Sequence, residues 1–172
     1  MWPVAVESDM KIHPTLINAL EAGAVTTLTT TAAVALAGKR QVNNAVAPLN
    51  AISHIVWGDE ATRKDAPSVK YTLTGTLINA SAMAGWAIVN ELAFGKINRR
   101  FKTAALFTGA AMSGLAYLTD YYAVPKRFTP GIEKRLNRKG MFFVYAVLAA
   151  SLAVGTLICN RTPQCAGRAD QP

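Results

Sequence analysis

Four stretches of this chain, residues 15–37, 71–94, 103–124 and 141–159, are each long and apolar enough to cross a bilayer, and the charges gather between them. A hydrocarbon core about 30 Å thick takes roughly 20 residues of helix. Lipid offers no partner to a free backbone N–H or C=O, so such runs are helical. The pattern predicts an all-α membrane protein: one polytopic domain over residues 1–172, with four transmembrane helices and one or two short interfacial amphipathic helices. Composition agrees, since 51% hydrophobic against 16% charged residues is too apolar for a soluble domain of this size. No internal repeat is apparent, and the threonine-rich middle of the first run is the one biased segment.

The first run also resembles a signal peptide at Ala35, Leu36 and Ala37 before Gly38. The segment ahead of it, however, holds Glu7 and Asp9 against a lone Lys11, which is not a positive n-region, so it is read as a retained span. Residues 43–57 are apolar but short. Leu49, Ile52 and Val56 share one helical face and Asn50 and His54 another, which predicts an amphipathic helix on the membrane surface with Trp57 at head-group level. A second interfacial helix is expected over 130–138, with Thr129 as cap, Pro130 in the first position and Ile132 and Leu136 as an apolar pair. Cys159 and Cys165 lie six apart and are read equally well as a bridge or as two separate thiols.

The net charge of +8 raises the question of nucleic acid, but the basic residues sit in 95–102 and 125–140, each abutting a span. Anionic lipid head groups are the expected partner, with a further copy of the chain or another membrane protein as possible companions. Eleven positive residues fall in the first and third loops and seven on the other side, which places both termini outside, on the periplasmic side.

Few polar groups lie within the spans, and these are the candidate sites. Glu21 sits on the order of 10 Å inside the first run, counted from Pro14, where a charge costs roughly 2.5 to 3.5 kcal/mol on the insertion scale. It is expected to be protonated, paired or facing a wet interior. Glu91 enters from the same membrane face, with Asn18 and Asn90 beside the two acids and Arg99, Arg100 and Lys102 in the adjoining loop. Either the carboxylates share a proton or the loop cations neutralise them. Thr72, Thr76, Asn79, Met83, Trp86 and Asn90 make one face of the second run, and Gly109, Ser113, Ala116 and Asp120 make a small-residue stripe on the third. These are read as a packed seam between those two helices, with a polar solute path as the alternative. On the opposite membrane face His54, Trp57, Asp59 and Asp120 form an interfacial cluster in which acid and base types meet without a motif that fixes their geometry.

The chain holds no H-E-x-x-H, no C-x-x-C, no G-x-S-x-G and no phosphate-cradling glycine loop. No cofactor or metal is expected, and neither is enzymatic chemistry. At WGDEA (57–61) and DYYAVPKRFTPG (120–131) the chain resembles a group of small uncharacterised bacterial inner-membrane proteins, over about residues 44–148. That resemblance implies a multi-pass inner-membrane location and carries no activity to transfer. A looser likeness is to the small multidrug transporters, which have four spans and a functional glutamate in the first, matched here by Glu21 alone. This chain departs from them in its length, its two interfacial segments and the lack of aromatic residues in the first run. The expectation is therefore a non-enzymatic helical bundle contacting lipid or a membrane partner. The alternative is a small proton- or cation-coupled transporter using Glu21.

Overall fold

The structure is a computed structural model that describes the backbone of residues 14–159 and the side chains of 16–158. The pairing of Cys159 with Cys165 therefore lies outside what it describes. Every regular element among the described residues is helical. The long helices are α1 (Pro14–Val42), α4 (Thr74–Arg100), α5 (Ala104–Leu118) and α6 (Arg138–Cys159), and between the first two lie the short α2 (Ala47–Ile52) and α3 (His54–Trp57). Three stretches are long and apolar enough to cross a membrane: Leu16–Val42, Val69–Arg100 and Arg138–Ile158. The third apolar run falls short of that length as an α-helix. It is 15 residues long, and at Thr119 it widens into a π-helical turn, Thr119–Ala123, before the extended Val124 and Pro125 stop it.

The ends of the helices follow from local chemistry. α1 runs five residues beyond its expected end, carrying Lys39 and Arg40 in its last turn, where cations suit the helix dipole. It stops at Asn43, whose φ of 52° is left-handed, a conformation asparagine tolerates. Asn44 then accepts the N–H groups of Val46 and Ala47 at 2.9 and 3.0 Å, and Pro48 falls at the start of α2, where its missing N–H has no consequence. Ahead of α4, the Ser68 hydroxyl accepts the Tyr71 N–H while the Ser68 N–H donates to the Thr72 hydroxyl, a reciprocal cap on the π-helical turn Val69–Leu73.

α1 is the central helix and packs against both α4 and α6, while α5 lies chiefly against α6. Asn79 donates to Thr31 at 3.0 Å and Asn18 to Glu91 at 3.5 Å, which sets α1 and α4 antiparallel. Ala22 against Gly155 at one end and Gln41 against Asn137 at the other set α6 antiparallel to α1. The expected seam between the second and third runs forms only in part: Met83 and Trp86 of α4 pack on a core that includes Met112 and Ala116 of α5, whereas Gly109 and Ser113 face α6. The Ser113 hydroxyl donates to the Tyr145 carbonyl of α6, and a Cβ on Gly109 would lie 2.5 Å from the Ala149 carbonyl, also of α6. The small residues of α5 serve the α6 contact, because that is where the backbones come closest. The polar face of α4 turns mainly to α1 and α6, with Met83 and Trp86 completing a core around Ala22, Met112, Ala116 and Leu152.

Residues 43–57 do not form one surface helix with a wet face. α2 and α3 are separate short helices, and all six residues of α2 are buried. The asparagine face is occupied by protein. Asn50, with no exposed surface, donates to the carbonyls of Lys64 and Ala66 at 2.9 and 3.0 Å and accepts from the Thr72 hydroxyl at 2.7 Å. Gly75 of α4 lies so close beneath α2 that a Cβ there would overlap the Leu49 carbonyl. Residues 130–138 likewise hold only a 3-10 turn, Ile132–Lys134, entered through the left-handed Gly131. Thr129 does not cap it but bonds the Lys126 carbonyl and the Glu133 carboxylate, while Ile132 and Leu136 are buried. The two connecting segments lock together as a cap over one end of the helices, through Lys134 on Asp59 and Arg135 on Asp65 and the Thr62 carbonyl. Replacing Asn50 by Ala strands three polar groups in that cap and is expected to lower stability by about 3 kcal/mol, read as a fall in the thermal midpoint of the purified protein.

Candidate functional site

The acid that the bundle buries is Glu91. It is 4% exposed, accepts from the Asn18 amide, and forms an ion pair with Arg99 two turns further along α4. Gly95 lies between them, and a Cβ there would come within 2.6 Å of the carboxylate. The side chain can fold along the helix to its cation only because that position carries none. Glu21 is not part of this cluster. It faces outward from α1 and makes no hydrogen bond or ion pair among the described residues. The expected pairing of the two carboxylates is therefore not formed, and Glu91 is instead neutralised by Arg99, which lies in the last turn of α4 and not in a loop. Asn18 and Asn90 are inside as expected, Asn90 donating to Thr156 of α6 at 3.3 Å.

Towards the capped end, a cavity of about 90 Å³ opens between α1, α4, α6 and the π turn after α5, with α2, α3 and residues 128–132 above it. Most of its wall is apolar, including Val34, Ile52, Ile78, Val144 and Leu148, and its polar members are Thr30, Asn79, Asp120 and Tyr145. The Tyr145 hydroxyl donates to Asp120 at 2.6 Å, and Thr30 donates to the Thr26 carbonyl at 2.7 Å. Two residues assigned by sequence to separate groups, Asn79 and Asp120, thus line one space. Tyr145 and Thr30 are the polar members that the sequence did not single out. A lone tyrosine hydroxyl one turn into an otherwise apolar run, MFFVYAVLAA, was the signal that could have found Tyr145.

The interfacial cluster is divided. His54 and Asp59 line a cleft of about 590 Å³ in the cap together with Tyr121, Lys126, Arg127, Glu133 and Lys134. Asp120 turns into the interior cavity and makes no hydrogen bond to His54. Trp57 lines neither space; its indole N–H meets the Thr74 hydroxyl at 3.3 Å, and the Lys70 ammonium lies 4.9 Å from its ring centroid. His54 is 4% exposed and its Nδ1 lies 2.9 Å from the Ala51 carbonyl, an acceptor only, so the proton sits on Nδ1. Gly131 crosses over this ring with a φ of 79°, where a Cβ would be 2.6 Å from Nδ1. Glycine is needed there on both counts. At the rim of the cap, the Lys134 ammonium holds the Asp59 carboxyl below its ordinary range, and the Lys64 ammonium, followed by the Tyr71 hydroxyl, does the same for Glu60.

No protein-family model matches the chain, and neither does any curated protein or solved structure.

Two outcomes test this arrangement. Arg99→Gln leaves a buried carboxylate without its cation and is expected to cost about 3 kcal/mol, the low end for a buried pair because Arg99 is itself 35% exposed. Glu21→Gln should change stability little, and thermal unfolding of the two variants side by side reads the contrast. The second outcome concerns pH. With its folded pKa lowered, Asp59 supports the Lys134 link fully above its ordinary value of 3.8, and that support is lost as pH falls below it. Hydrogen-exchange protection factors in residues 59–65, taken relative to the intrinsic rate at each pH, should therefore fall on acidification in the wild type and be less pH-dependent in Lys134→Met.

Proposed function

We propose that this chain is a four-span integral protein of a bacterial inner membrane, with both termini outside, that works by contact and not by catalysis. Its partners are anionic lipid head groups and another membrane protein or a further copy of the chain. The observation that carries the reading is the sidedness of the long helices. Their outward faces hold Leu20, Leu28, Leu36, Leu77, Leu92, Leu106, Phe107, Phe142 and Val154, all exposed, while Asn18, Thr26, Thr30, Asn79, Asn90, Asn98, Ser113, Ser151 and Thr156 are buried. A protein folded in water reverses that distribution. In a bilayer the apolar faces meet lipid tails, and inward polar groups bond across helices. α5 and its π turn supply the fourth crossing. The basic residues of the cap, Lys126, Arg127, Arg138 and Lys139, lie where head groups would be, beside the exposed aromatic Tyr122, Trp57 and Phe128. The WGDEA and DYYAVPKRFTPG blocks add the bacterial inner-membrane assignment by resemblance.

The alternative, a small proton- or cation-coupled carrier, draws no support from Glu21, which lies outside the bundle interior. What favours an interior ligand is the cavity with Asn79 and Asp120.

Leu28, 72% exposed at the middle of α1, separates the membrane reading from a soluble one. Leu28→Arg should raise the cost of insertion by roughly 3 kcal/mol, and the variant should be lost from carbonate-washed membranes. On a water-facing surface the same change stays within about 0.5 kcal/mol and leaves fractionation unaltered.

A further inference from the structure

The cavity beneath the cap has hydrogen-bond acceptors on its wall. Each of its polar groups has a donor engaged elsewhere: the Tyr145 hydroxyl on Asp120, the Thr30 hydroxyl on the Thr26 carbonyl, and one N–H of the Asn79 amide on Thr31. Acceptors are left over. Asp120 has one carboxylate oxygen bonded to Tyr145 and none of its atoms in an ion pair among the described residues, and the Asn79 oxygen meets no donor among them either. Glu133, the charged group that acts on Asp120 through space, is itself an acid and is held by Tyr121 and Thr129. A carboxylate lining an apolar space with no counter-ion is unfavourable until a proton or a cation arrives.

We infer that the cavity lined by Asp120, Asn79 and Tyr145 binds the ammonium head of a small alkylamine, with Asp120 as its counter-ion, Asn79 as a second acceptor and the aliphatic wall around its carbon chain. A bare metal cation is a poorer fit, because it asks for several oxygen ligands at once and this wall is mostly Val34, Ile52, Ile78, Val144 and Leu148. Size limits the ligand. At about 90 Å³ the space is well below the roughly 150 Å³ that accepts benzene, so a propylammonium-sized group fills it. The inference rests on the membrane-bundle reading only in that the protein is studied in lipid or detergent, and it concerns a site that reading leaves unused.

The experiment uses the full chain in lipid nanodiscs at neutral pH and constant ionic strength, with propylammonium chloride as ligand and 1-propanol, sodium chloride and potassium chloride as controls. Propylammonium is expected to raise the thermal midpoint in a saturable way and the controls are not. Asp120→Asn should weaken binding at least tenfold, and Asn79→Ala, which keeps the acid, severalfold. Where Asp120→Asn fails to fold, Asn79→Ala and the propanol control still decide. Equal stabilisation by sodium or potassium, or by propanol, overturns the inference, as does binding unchanged in whichever of the two variants folds. A chain that is extracted from membranes by carbonate overturns the bundle reading instead, whereas a chain firmly in the membrane that takes no propylammonium overturns only the cavity's assignment.

Discussion

The hydrogen bonds of Asn50 hold the rest of the capped end in place. A side-chain amide with no exposed surface has no water to turn to, so it must find protein partners or destabilise the fold. It finds them in the carbonyls of Lys64 and Ala66 and the hydroxyl of Thr72. Those three bonds fix the loop that leaves the 3-10 turn at Asp59–Arg63, and they tie it to the turn that begins α4. With that loop fixed, Asp59 and Asp65 stand where Lys134 and Arg135 can reach them, and the second connecting segment closes onto the first. His54, Gly131 and the upper wall of the cavity all take their positions from this closure.

Below the cap the structure is held by a few polar pairs between helices that otherwise meet through small residues. Asn79 with Thr31, Asn90 with Thr156 and Glu91 with Arg99 and Asn18 are spread along α4, so this helix is anchored at three levels against its neighbours. Each such bond fixes rotation as well as distance. A polar group turned out of register would have to face the apolar exterior instead, which specifies helix orientation where apolar packing alone would tolerate slippage.

Much of the helical layout was legible in the sequence, and the shortfalls share a cause. Apolar runs located the long helices, and the clustering of charge located the connections. The α2 region read as amphipathic because Asn50 and His54 recur at a helical spacing, and spacing cannot distinguish a face that meets water from one that meets backbone carbonyls of a loop fourteen or more residues away. The cluster of His54, Trp57, Asp59 and Asp120 read as one group because its members share a membrane face. The π turn at Thr119–Ala123 carries Asp120 into the interior and leaves Tyr121 at the cleft, and no single-residue preference announces such a turn.

The sequence by itself determined that this chain is helical and where its apolar runs and their connections fall, because apolar length and the need to satisfy the backbone are properties of each segment alone. Only the tertiary structure decided which polar group meets which. Asn18 and Glu21 are less than one helical turn apart, yet one is bonded to Glu91 inside the bundle and the other faces outward. That choice is the rotation of α1 about its own axis, set by the close contacts of Ala22 with Gly155 and of Gly23 with Ala84. Rotation and register depend on the neighbouring helices, so no reading of one helix could supply them.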